Sequence, residues 1–253
     1  MHFQLTAART GFAVLVLAVL TAAAAVAGVR LGTLSDASAS ALMIPATALG
    51  ALALVLALAW LSAALKSNRG AGKRPGLTAL IGAVAFLYQP LSYAYAGFTS
   101  LPIHDATTDP EDPPQFVALA KIHSANSRVF DGERQIRYKG QDVTVAYALH
   151  DKYPVLTKPH KGLLVLPGKA YWRAHVVVER LGWTIVDASE KDLRIEATST
   201  SFWFGRVSDI VIRVRQAGSI GSWVDVRSQS REGGDDHGRN VARLKTFFNY
   251  FKL

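Results

Sequence analysis

The chain changes its hydrophobic pattern near residue 97. Before that point, apolar residues run without period in three blocks, Thr10 to Val29, Ala41 to Leu65 and Gly76 to Gly97, and none of the blocks contains a formal charge. Each reaches or exceeds the roughly 20 residues that a helix needs to cross a hydrocarbon core of about 30 Å. The pattern therefore predicts three transmembrane helices, at about 10–29, 41–65 and 76–97, within a membrane region spanning 1–97. In the third block, Gln89 and Pro90 fall inside the span and predict a kink, while Tyr93 and Tyr95 sit near its end, where amphipathic rings suit the interface. No span carries an ionisable residue, which argues against an ion or proton pathway.

After residue 97 the pattern becomes that of a folded domain. "IHDATTDPEDPPQF" is rich in Pro, Asp and Thr, cannot continue a helix, and reads as an extended linker over 98–115. The remaining residues, 116–253, read as one exported α+β domain. "IRYKGQDVTVAYAL" predicts two short strands about Gly140. Pro167 and Gly168 open a helix whose apolar positions Tyr171, Ala174, Val178 and Leu181 recur at helical spacing before Gly182 ends it.

Four strands follow at 183–189, 193–200, 209–216 and 223–230, and the short connections between them require antiparallel neighbours, hence a meander. A last helix is predicted to start at an N-cap near Asp235 or Asp236 and to present Val241, Leu244, Phe247, Phe248 and Phe251 on one face. The expected fold is a membrane-anchored α+β protein: three N-terminal transmembrane helices, then an antiparallel β-meander with helices packed on one face.

Alternation along the strands divides the sheet into two faces. Leu193, Ile195, Ala197, Ile210, Ile212, Val214, Val224 and Val226 form the face for the helices to cover. Arg194, Glu196, Arg213, Arg215, Asp225 and Arg227 share the other. Two readings stand for this charged face: a solvated ladder of cross-strand ion pairs, or a surface on which forked Arg donors capture an anion or a partner.

Charge refines the picture. The net charge is +9, but residues 1–97 hold six basic residues against one acid, Asp36, while residues 98–253 hold 22 basic against 18 acidic. Much of the excess belongs to the membrane region, and the mixed signs of the remainder argue against a nucleic-acid partner. The loop "KSNRGAGKR" carries Lys66, Arg69, Lys73 and Arg74, whereas "LGTLSDASAS" carries no cation. The bias of cationic loops toward the cytoplasm puts the former inside and residue 98 onward outside. "AAAAVAG" also resembles a signal-peptide cleavage site, and cleavage there would leave the tail exported all the same. With no cysteine, disulfides, thiol catalysis and thiolate metal sites are excluded.

Several of these stretches match a known family. "YPVLTKPHKGLLVLPGKAYWRAHVVVERLGWTIVD", "RIEATSTSFWFGRVSDIVIRVR", "GSWVDVRSQSR" and "GRNVARLKTFF", with the Asp-Thr-Asp-Pro-Pro-Phe spacing of "HDATTDPEDPPQF", resemble the bacterial family called domain of unknown function 1499 over about residues 102–252. The resemblance implies that Asp105, Thr108, Asp109, Pro113, Pro114, Phe116, Trp203, Phe204, Asp209, Arg213, Arg227, Ser228, Arg231 and Asn240 are motif positions. It implies no activity. His237, after its acidic pair, departs from the pattern, and a special role for it would be private to this chain.

Explicit chemistry is sparse. His104, Asp105 and Asp109, or Asp235, Asp236 and His237, offer metal-ligand atoms without a recognised spacing, and no metal or cofactor is expected. Ser228, His237 and Asp225 can be drawn as a hydrolytic triad, but Ser228 alternates onto the covered face and no Gly-x-Ser-x-Gly elbow occurs. In "SFWFG" three aromatics in a row cannot share one strand face; they either turn a strand end over the core or bring Trp203 or Phe204 to lipid headgroups or an apolar ligand.

The sequence thus points to a multi-pass protein of the bacterial inner membrane with a periplasmic, non-enzymatic binding or accessory module. Its expected partners are the lipid bilayer, a membrane or periplasmic protein complex, and an anionic ligand. The expected binding residues are Arg194, Arg213, Arg215, Arg227, Asp105, Asp109 and Trp203. The alternative is an enzyme acting on an envelope or lipid substrate near Asp105, Asp109 and the Arg ladder.

Overall fold

A computed structural model describes residues 2–66, 72–121, 129–157, 164–231 and 235–251. Arg69, one of the four cations behind the expected orientation, and residues 158–163 of the family-like stretch lie outside them. The chain forms two compact units, Met1–Tyr95 with Phe202–Gly205, and Ala96–Ser201 with Arg206–Leu253.

The first unit is built on three helices, α1 (His2–Arg30), α2 (Asp36–Leu65) and α3 (Lys73–Thr99), each long and apolar enough to cross a membrane. α1 and α3 overrun their apolar blocks at both ends and α2 overruns its block at the start, because backbone hydrogen bonding continues until a residue stops it. Past Arg30 the stop is Gly32, whose φ of 70° few side chains tolerate. Ser35 then caps α2 by accepting from the Ser38 N–H at 3.1 Å. α3 runs on through Pro90 to Thr99. Small residues let the helices approach: Leu15, Ala53 and Ala83, one from each helix, form a shared buried cluster, and a Cβ at Gly76 would overlap the Trp60 ring.

The second unit is an antiparallel sheet of order β1-β7-β6-β5-β4, with β1 (Asp105–Thr107), β4 (Thr184–Ser189), β5 (Arg194–Thr200), β6 (Val207–Ala217) and β7 (Gly221–Ser230). The last four strands are the expected meander, in which Ile195 lies opposite Ile212 and Ile212 opposite Val226. β2 (Gln135–Tyr138) and β3 (Gln141–Thr144) form a separate hairpin turned by Lys139 and Gly140, both at positive φ as a tight two-residue turn demands.

Sequence pattern alone missed α4 (Val145–Lys152), which is too short to show a helical period; Thr144 caps it by accepting from the Tyr147 N–H. A single turn, α5 (Pro154–Thr157), follows. α6 (Pro167–Arg180) and α7 (Arg239–Phe251) contribute Tyr171, Ala174, Val178, Val241, Leu244, Phe247, Phe248 and Phe251 to one core with the aliphatic face of the sheet. Within it, Trp183 stacks on Phe247, and Phe247 on Phe251, at centroid distances of 6.3 and 5.3 Å.

The stretch expected as a linker is different. Leu101 and Ile103 are buried in the core, and Asp105–Thr107 adds the edge strand β1 to β7, with Thr107 opposite Arg227. Proline and aspartate bar a helix here, but they do not bar a short edge strand. Segment 98–115 is therefore part of the folded unit.

Candidate functional site

The charged face of the sheet is the candidate site. Pairing brings its residues into cross-strand rows: Arg194, Arg213 and Asp225 in one, Glu196, Val211, Arg227 and Thr107 in the next, and Thr198, Asp209, Gln229 and Asp105 in the third. Instead of facing water, the second row is roofed by the chain that follows β1. Phe116 and Leu119 pack on Val211 as a small second core.

Arg227 has no solvent exposure, which corrects both sequence readings of it. Its Nε donates to both oxygens of Asp105 at 3.1 Å, its Nη2 donates to Oδ2 at 2.7 Å, and its Nη1 donates to the Pro114 carbonyl at 3.3 Å. The guanidinium carbon lies 5.1 Å from the Phe116 ring centroid and 5.8 Å from that of Phe130. Burial pushes the Asp105 carboxyl above its ordinary range, and the Arg227 fork pulls it partly back. A planar fork matched to a carboxylate is what lets two charges leave water together.

Glu196, also fully buried, acts as a clamp. One oxygen accepts from the Val117 and Ala118 N–H groups at 2.6 and 3.2 Å, and the other accepts from Leu119 at 2.8 Å. Arg194 flanks it, with Nε 3.1 Å from the carboxylate, and also pairs with Asp187. The 117–119 turn thus has its free N–H groups satisfied by a charge on the sheet.

Toward the rim, Arg213 and Arg215 share carboxylates with Asp109, Asp112 and Asp225 over 2.8–3.3 Å. Asp225 is 2% exposed at its side chain, Arg213 21%, Arg215 29% and Asp112 63%, so the lattice opens to solvent only on the Asp112 side. Asp109 also accepts from the Asp112 N–H, and the Thr107 hydroxyl accepts from the Asp109 N–H, which shapes the turn out of β1. Asp209 takes Arg231 as a two-pronged partner.

The structure therefore gathers Arg194, Arg213, Arg215, Arg227, Asp105 and Asp109 on one face, but in self-paired form. Trp203 belongs to Phe202–Gly205, a stretch that packs with the helical unit, and does not join them. Sequence reasoning missed Asp112, the Glu196 clamp and the Phe116 and Leu119 roof. Val211 was the available signal, an aliphatic residue between the charged and polar residues in the middle of that face.

On the opposite face, the Ser228 hydroxyl bonds Asn240 at 2.8 Å, and Asn240 also donates to the His104 carbonyl and to Ser230. Asp225 is on the charged side, so Ser228 and Asp225 cannot serve one triad. Asp236 caps α7 through the Gly238 and Asn240 N–H groups; burial raises its carboxyl above the ordinary range, and those donors oppose the shift. Burial likewise lowers Arg243 to about 10. Among the described residues, no group of three or more His, Asp or Glu is placed to hold a metal ion.

A search among curated proteins gives no match. A family model does match, over residues 105–251, a span that opens on Asp105 and closes on the last described residue of α7. The chain belongs to the family described as Protein of unknown function (DUF1499).

Proposed function

We propose that the chain is a multi-pass protein of the bacterial inner membrane whose sheet unit stands in the periplasm as a non-enzymatic binding or accessory module, engaging a partner protein or an anionic envelope ligand. The observation that carries this reading is the commitment of Asp105 and Asp109. A hydrolytic or acid-base role would need one of them open to substrate, yet Asp105 is locked to a buried Arg227 and Asp109 is shared between Arg213 and Arg215. The rim of Arg213 and Arg215 remains reachable, screened by the exposed Asp112. An anionic group could replace the Asp112 carboxylate there and gain two Arg forks. The orientation is supported by Lys66, Arg69, Lys73 and Arg74 in one loop, against Arg30 at the edge of the other.

The test uses the full chain purified from its native membrane, with copurifying subunits and lipids identified and their stoichiometry measured. Asp112→Asn should increase capture, because it removes a competing anion while leaving both Arg groups in place. Arg215→Gln should decrease it. Equal capture by wild type and both variants would sink the rim as a binding surface. Protease applied to intact spheroplasts should remove the sheet unit, and its protection until lysis would reverse the orientation.

A further inference from the structure

We infer that the turn between β5 and β6 is a membrane-contacting tip, with Phe202 and Trp203 seated in the interfacial layer of the bilayer. Ser201 and Arg206 close the hairpin by two hydrogen bonds, Ser201 N–H to the Arg206 carbonyl at 2.8 Å and Arg206 N–H to the Ser201 hydroxyl at 2.9 Å. Residues 202–205 project as the loop, with Gly205 at a φ of 67°. Phe202 is 79% exposed and Trp203 48%, and their rings meet edge to face at 5.1 Å. Adjacent aromatics at the tip of an otherwise well-covered sheet leave water only if something apolar receives them.

The receiving surface is specified by Arg30. This residue ends α1, directly after the uncharged block that crosses the hydrocarbon, so its guanidinium belongs at headgroup level. It donates to the carbonyls of Phe202 and Trp203. The loop backbone is therefore tied to a residue whose depth the membrane sets, and the rings beside it meet the boundary where aromatic side chains partition. After three crossings, the end of α3 emerges on the same side as the end of α1, and it carries Tyr93 and Tyr95. Loop and helix together supply an aromatic girdle on one leaflet. This contact is independent of any ligand at the Arg213 and Arg215 rim.

Because the chain has no cysteine, a single one reports unambiguously. Phe202→Cys and, separately, Trp203→Cys are labelled with the fluorophore NBD in the full chain, reconstituted into phosphatidylcholine and phosphatidylglycerol vesicles. Ile220→Cys is the control: it is 62% exposed and apolar too, but sits on the β6–β7 turn at the opposite end of the sheet. Labels at 202 and 203 should be blue-shifted and quenched several-fold more strongly by lipids carrying a shallow doxyl group than the label at 220, and shielded from aqueous iodide. Iodide access at 202 and 203 equal to that at 220, with no lipid quenching, would overturn the inference. Either labelled position suffices to decide it, so misfolding of one variant leaves the test intact.

Discussion

The two faces of the sheet teach different lessons about cover. The aliphatic face is covered by α6 and α7, whose side chains need only be apolar and of the right volume, so alternation in the strands and helical spacing in the partners announce each other. The charged face is covered as well, but by an irregular stretch, residues 109–121, whose fit depends on individual hydrogen bonds. Burial on the first side is area; on the second it is stoichiometry, one carboxylate for each fork and one acceptor for each orphan N–H.

The largest effect expected from breaking this comparison is on the aliphatic side. Phe248 is 3% exposed and packs edge to face on Phe247 and Phe251, so Phe248→Ala should destabilise the unit by about 3 to 5 kcal/mol. Chemical denaturation of the full chain in detergent, followed by fluorescence of the sheet unit, measures it. An unchanged midpoint would mean that α7 is dispensable to the core.

A nearly equal loss is expected from a single charge. Asp105→Asn leaves the Arg227 guanidinium buried without its counter-ion, at about 3 to 5 kcal/mol. What separates the faces is the double variant. Asp105→Leu with Arg227→Met removes both charges, and its midpoint should lie closer to wild type than that of Asp105→Asn, because no ion is stranded. Phe248 has no such rescue partner. A double variant as unstable as the sum of its parts would show that the pair acts through shape alone.

How legible each face was follows from the same physics. The meander, both main helices and the core residues could be read from the sequence because periods of 2 and 3.6 are local signals. Arg227 could be placed on its face but not in its environment, since alternation says which way a side chain points and nothing about what lies above it. Its cover comes from over a hundred residues earlier in the chain, in a stretch whose prolines masked a three-residue strand. The family resemblance marks Asp105 and Asp109 as motif positions, yet their partners follow only from the register of β1 on β7. Val211, flanked on β6 by Asp209 and Arg213, was a local hint that the face is dry in the middle.

The Glu196 clamp is expected to matter at intermediate strength. Glu196→Gln keeps the shape and one acceptor oxygen but loses the charge, which is worth about 1.5 to 3 kcal/mol when hydrogen bonds run to an ion. Hydrogen exchange is the sharper readout: the Val117, Ala118 and Leu119 amides should lose protection well before those of β6. Uniform loss across the sheet would instead show that 109–121 opens only with global unfolding.

The smallest stability effect is predicted at the rim, where the comparison between faces ends. Asp112 bonds Arg213 and Arg215 at 3.1 and 3.0 Å but is 63% exposed, and such pairs contribute only about 0 to 1 kcal/mol. Asp109 and Asp225 remain to neutralise the two Arg groups if Asp112 is lost. Asp112→Asn should therefore leave the denaturation midpoint within that range, while Arg213→Gln with Arg215→Gln removes two cationic partners of the buried Asp225 and should lower the midpoint clearly. The double Arg variant is consequently a poor probe of binding, and Asp112→Asn a clean one, since a change in capture at constant stability must come from the surface. A collapsed midpoint for Asp112→Asn would place this carboxylate among the structural charges and make the rim part of the buried lattice.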